Sequence, residues 1–206
     1  MSVSTLKRET EDLLGTPPAW AFARKWTYQE ALAQLPETLL PIEIWDGKLV
    51  MTATPFFHHQ NIIGRFCGQL DEWVRARRLG VVIVSPMDCV LAEDLVLQPD
   101  VMFIAKDRTS IIQGHVMGAP DLAVEVVADN RRKRDYKDKR DRYEQHGVKE
   151  YWILDAREAQ VEIWGLNEAA SYELRGRYTG RQFAPSKLLP GFKLRVDKLL
   201  SESFDF

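Results

Sequence analysis

Gly118-Ala119-Pro120-Asp121-Leu122-Ala123-Val124-Glu125-Val126-Val127 opens on turn residues and runs into a stretch that is apolar except for a single glutamate. Its length, β-branched content and Gly/Pro boundary read as a buried strand over 122–127. Alternation along a strand sends Glu125 to the side of Ala123 and Val127, opposite Val124 and Val126. A charge in the middle of such a strand costs several kcal/mol unless a cation or a metal answers it. Glu125 is therefore either half of a buried ion pair or a ligand.

Working outward, Val81–Val84, Cys89–Leu91 and Val101–Ile104 are further short strand-like runs, and Asp100 follows Pro99 at the entrance to the last of them. Taken alone, Asp100 fits a turn or strand cap. Downstream, Tyr151–Leu154 and Val161–Trp164 read as paired strands, and 171–196 as shorter strands closing on Pro190-Gly191. Ile62, Ile63, Phe66, Leu70, Trp73 and Val74 recur at helical spacing, which predicts a long amphipathic helix over 58–79. A second helix is predicted over 134–146, stopped by Gly147. Thr27 with Glu30 forms a capping box for a third, through Leu35. Asp46-Gly47 between Ile42–Trp45 and Leu49–Thr52 is a hairpin signal. A short helix fits 5–14, and residues 1–26 read as an N-terminal arm before a single domain over 27–206. The fold class is α/β, with a mixed β-sheet flanked by helices and extra strands at the C-terminal end.

The chain has 206 residues, 45% hydrophobic and 28% charged, and a formal net charge of −2. These values fit an ordinary globular domain and give no global push toward polyanions. Cys67 and Cys89 match no zinc spacing and read as buried free thiols. No apolar run reaches the roughly 18 residues of a membrane span, and 1–11 is too polar for a signal peptide, so a cytoplasmic protein is expected.

Phosphodiester hydrolysis uses a hard cation that neutralises developing charge and activates water; Mg²⁺ takes one or two carboxylates together with waters and substrate oxygens. Asp100 and Glu125, on separate strands, are the pair in this sequence that fits that need.

The ordered set Gln98-Pro99-Asp100, then 118–126, then Asp135-x-x-x-Lys139-x-x-x-Tyr143, then Gly147-Val148-Lys149-Glu150-Tyr151-Trp152 resembles the Uma-two restriction endonuclease family, a bacterial branch of the PD-(D/E)XK nuclease superfamily. Glu43-x-x-Asp46-Gly47 and His59-Gln60 are similar to its N-terminal half. The resemblance runs from about Ile42 to Leu199 and implies a restriction-endonuclease-like core and a Mg²⁺-dependent endonuclease acting on DNA, with Mn²⁺ as an alternative ion. It implies Asp100 and Glu125 as metal ligands, joined by the Val126 carbonyl, with Glu43 able to complete the shell. The lysine of the (D/E)XK half-motif is replaced by Val127, and Lys139 is its implied substitute. Glu43 also fits a surface charge on a hairpin edge, and His59 a helix cap or packing residue. Pro120-Asp121 is a competing Pro-Asp, set on the same strand as Glu125. Where the family shows Ser-Pro-Ser, this chain has Ala128-Asp129-Asn130, which bears on activity more than on fold.

Arg131, Arg132, Lys133, Arg134 and Lys137 follow directly after the ligand strand and are candidate phosphate contacts. Interleaved Asp135, Asp138 and Asp141 equally fit a solvated helix with i, i+4 pairs. Two other functions use the same residues: a nuclease-fold protein that binds nucleic acid or a protein partner without cutting, and a phosphoesterase of small molecules. A homodimer is the assembly that related nucleases suggest.

Overall fold

A computed structural model describes residues 17–36, 41–51, 56–128 and 132–201. The helix expected over 5–14, Asp129, Asn130 and Arg131 lie outside these residues. In chain order the elements are α1 (Tyr28–Gln34), β1 (Ile42–Trp45), β2 (Lys48–Met51), α2 (Phe57–Arg77), β3 (Gly80–Val84), β4 (Cys89–Ala92), β5 (Leu95–Leu97), β6 (Val101–Ala105), β7 (Ile112–Gln113), β8 (His115–Met117), β9 (Leu122–Val126), a π-helical segment Arg134–Lys139 running into α3 (Arg140–Gln145), β10 (Glu150–Asp155), β11 (Gln160–Leu166), β12 (Tyr172–Thr179), β13 (Phe183–Pro185), β14 (Lys193–Arg195) and α4 (Val196–Leu199). They fall into two compact units.

The first unit holds the described residues up to Met51 together with Asp88–Gln98. Its strands run β2-β1-β5-β4, each antiparallel to the next. Asp46 (φ 50°) and Gly47 (φ 83°) both turn left-handed, the I′ geometry that matches strand twist. A Cβ on Gly47 would also stand only 3.1 Å from Lys25 Cβ, so the turn needs glycine on both counts. Thr27 Oγ1 accepts from the Glu30 amide while Glu30 Oε2 accepts from the Thr27 amide at 2.9 Å, closing the expected box. Trp26 is buried and donates its indole N–H to the Ala21 carbonyl.

The second unit is a mixed sheet in the order β12-β11-β10-β9-β6-β3, in which β9 and β10 are parallel and the other neighbours antiparallel. Ile62, Phe66, Leu70 and Val74 of α2 lie in one core with Val101, Phe103, Leu122, Val124, Val126, Trp152 and Leu154. Each such side chain contributes roughly 1.5–3 kcal/mol on burial. β13, β14 and α4 supply Ala184, Leu194, Val196 and Leu199 to the same core. Gly80 meets β6 so closely that any Cβ there would run into the Ile104 carbonyl.

Three features depart from the sequence reading. β5 and the β7–β8 hairpin were not anticipated, because runs of two or three residues carry too little periodicity to register. Cys67 is half-buried rather than buried. The segment at Arg134 winds as a π-helix before it becomes α. Among the described residues, no helix is long and apolar enough to cross a membrane.

Candidate active site

β6 and β9 pair antiparallel through Val101–Val124, Met102–Ala123 and Phe103–Leu122. One further step of that register sets Asp100 against Glu125, and residues directly opposite in an antiparallel pair share a face. Val124 and Val126 point into the α2 core, so Glu125 faces the other side of the sheet. Asp100 Oδ2 accepts the Val126 amide at 2.7 Å, which pins the carboxylate to the end of β9.

The helical segment after β9 answers Glu125. Lys139 Nζ lies 2.6 Å from Glu125 Oε1, with 3% and 5% of the two side chains exposed. The Tyr143 hydroxyl donates to the same oxygen at 2.7 Å. Tyr143 was not among the predicted site residues. Its spacing of four from Lys139 is the signal that finds it, since i and i+4 share a helix face. Asp135 is buried on that face too, and its carbonyl accepts the Tyr151 hydroxyl at 2.8 Å. α2 contributes His59, whose Nε2 stands 2.9 Å from the Val126 carbonyl oxygen and 3.4 Å from Asp100 Oδ2. The structure therefore brings together Asp100, Glu125, Val126, Lys139 and His59.

The electrostatics are those of Asp100, Glu125 and the buried Asp135 held largely out of water, with the Lys139 ammonium among them. Burial, and then the Glu125 charge, push the Asp100 carboxyl well above the usual carboxylate range, against the pull of Lys139 and the Val126 amide. A divalent cation between the carboxylates would relieve that repulsion, so the donor set fits Mg²⁺ or Mn²⁺. Among the described residues no group of three or more His, Cys, Asp or Glu side chains forms a metal cage. Two carboxylates beside a main-chain carbonyl match an ion that completes its shell with water and phosphate, unlike a zinc site built from protein side chains.

The other predicted residues sit differently. Asp121 is buried near the opposite end of β9, where Arg108 (2.9 Å), Lys149 (2.8 Å) and the Ala105 amide neutralise it. These partners hold its carboxyl below the usual range despite its burial. Glu43 belongs to the first unit and is buried, because β1 lies between β2 and β5 rather than at an edge. Its Oε1 accepts the Gln98 amide and its Oε2 the Trp45 indole, both at 2.9 Å, so it is not a surface charge. Arg132 is spent on Asp155 at 2.5 Å and on Glu158 at 3.7 Å, and Lys137 on Asp141 at 2.6 Å. Lys133 is exposed and Arg134 half-buried.

The fold has a counterpart among solved structures. A crystal structure titled as a putative nuclease belonging to DUF820 from Anabaena variabilis superposes with a TM-score of 0.72 at 19% identity, covering 85% of this chain and 97% of that one. No curated protein matches the chain. A model of the Uma2 family, described as "Putative restriction endonuclease", matches residues 29–197, and across that span, which takes in Glu43, Asp100, Glu125 and Lys139 alike, the chain belongs to the Uma2 family.

Proposed function

We propose that the chain is a metal-dependent endonuclease that hydrolyses phosphodiester bonds in DNA, with Mg²⁺, or Mn²⁺ in its place, as the resident ion. The observation that carries this reading is the Asp100–Glu125 pair, set across one register step, with Glu125 buried against the Lys139 ammonium and Asp100 part-buried beside it. Asp100 and Glu125 would hold the ion, with the Val126 carbonyl as a third donor. When bound, the ion would neutralise charge on the phosphate and lower the pKa of water.

The chain's own groups do the rest. Lys139, a compact ammonium fixed on Glu125, would stabilise the charge gained by an attacked phosphate or orient the water. Tyr143 fixes the Glu125 side chain from the same helix face. His59 braces both the Asp100 carboxylate and the Val126 carbonyl.

A nicking assay on supercoiled plasmid tests the reading. Wild type should nick with Mg²⁺ or Mn²⁺ and not with EDTA, and Asp100→Asn and Glu125→Gln should lose activity. Equal cleavage by all three proteins would remove the site. One observation favours a second reading, a nuclease-fold protein that binds nucleic acid or a partner without cutting: the Val126 carbonyl already lies within hydrogen-bond distance of His59. DNA binding without nicking under either ion would select that reading.

A further inference from the structure

Phe56 and Phe57 lead into α2 just ahead of His59, with 88% and 66% of their surfaces exposed. Two adjacent, largely exposed phenyl rings form an apolar spot at the helix entry, the kind of surface on which a flat ligand can stack. Their position says what that ligand is. The Phe56 carbonyl accepts the Gln60 amide at 3.2 Å, which ties Phe56 into the first turn of the helix. Phe56 is the extended N-cap residue three positions ahead of His59, and a rise of about 1.5 Å per residue keeps their backbones within about one turn of each other along the axis. His59 in turn stands 3.4 Å from Asp100. The helix entry has no acidic residue in its first turn and no side-chain cap, so nothing on that turn repels a phosphate.

We infer that Phe56, with Phe57 beside it, is a stacking platform for an unpaired nucleobase of the strand whose phosphate lies at Asp100 and Glu125. The substrate of this site is then a single strand or a locally opened duplex, because bases stacked inside an intact duplex offer no face to a side chain. Stacking of this kind tolerates any base, so the platform contributes affinity and strand selectivity rather than sequence recognition. The inference rests on the nuclease reading of the neighbouring carboxylates.

Anisotropy of labelled oligo(dT) and of a labelled blunt duplex, measured with Ca²⁺, an oxygen-ligated cation that answers the carboxylates but activates water poorly, tests it on the full chain. Wild type should bind the single strand more tightly. Phe56→Ala should weaken that binding about tenfold and change duplex binding less than about twofold, while Phe56→Trp keeps wild-type affinity. Single-strand affinity unchanged in Phe56→Ala, equal loss on both DNAs, or no binding by wild type to either would overturn the platform. So would a dimer that Phe56→Ala splits with DNA affinity intact, since the face would then be a contact between two copies. Plasmid nicking run in parallel separates the two readings: absent nicking with Phe56-dependent binding removes only the hydrolytic one.

Discussion

Asp100 holds its proton to higher pH than a free carboxyl because burial and the Glu125 charge both oppose ionisation. Between the unfolded value near ~3.9 and the raised folded value, the folded state binds more protons than the unfolded chain, so stability falls as pH rises through that window. Asp100→Asn removes the slope. The variant should melt above wild type at neutral pH and the gap should close near pH ~4, read by thermal melts across pH, with cleavage lost throughout. An Mn²⁺ ion held by Asp100 would have to displace the same proton, so its affinity for wild type should fall as pH drops through the raised value, read by calorimetry. Around Glu125, removing a partner destabilises the fold. Lys139→Met strands a buried carboxylate and should cost about 3–5 kcal/mol. Lys139→Arg should not restore activity, since a planar guanidinium does not replace a compact ammonium. Tyr143→Phe should fold and lose roughly 10–100-fold in metal affinity, through an unfixed Glu125. Glu125 was legible in sequence because a lone charge among apolar strand residues must be answered, whereas Asp100 alone read equally as a turn residue and Lys139 was reached only through the family resemblance. Tyr143 was not assigned, because a buried tyrosine on a helix face reads equally well as packing until its hydroxyl is seen on Glu125.

The π-helical segment is the element that aligns the site. Four residues of α-helix overshoot a full turn by roughly 40°, and four residues of an i→i+5 helix fall short by a similar angle. Asp135 to Lys139 spans the π-helical part and Lys139 to Tyr143 the α-helical part, so the two drifts cancel and all three residues stay buried on one line. Deleting exposed Lys137 should restore α periodicity and turn Asp135 by only about 30° relative to Lys139, because three α residues sweep about 300° where four π residues sweep about 330°. Lys139 and Tyr143 lie beyond the deletion and keep their spacing. The expected outcome is that Asp135, Lys139 and Tyr143 stay on one face, with a melting temperature near that of wild type and Mn²⁺ affinity retained far better than in Lys139→Met, read by thermal melts and calorimetry. Nothing in the sequence marks this winding, because helical periodicity is read with one fixed angle. Elements whose signal is local were legible: the Thr27 box, the Asp46-Gly47 turn and the β9 run each declare themselves within a few residues. The environment of Glu43 was not, because it depends on β5 pairing with β1 from far along the chain.

Over the whole molecule, a net charge of −2 leaves polyanion binding to whichever cations are not already paired. The run after β9 looks basic in sequence, yet Arg132 and Lys137 are engaged by Asp155, Glu158 and Asp141. A chain that spends its cations this way should neutralise few phosphates and show a shallow salt dependence, with log K against log salt falling by about 0.9 for each phosphate met in a duplex. The two kinds of arginine and lysine then separate on substitution. Lys133→Ala should reduce that slope by about one unit and leave the melting temperature unchanged, because the side chain is exposed. Arg132→Ala should leave the slope nearly unchanged and lower the melting temperature, since it uncovers the buried Asp155 carboxylate that Tyr136 also contacts. A titration of DNA affinity against salt, run beside thermal melts of the two variants, reads both effects. If Arg132→Ala flattened the salt dependence at wild-type stability, Arg132 would be a phosphate contact, and the basic run would act on DNA as one patch.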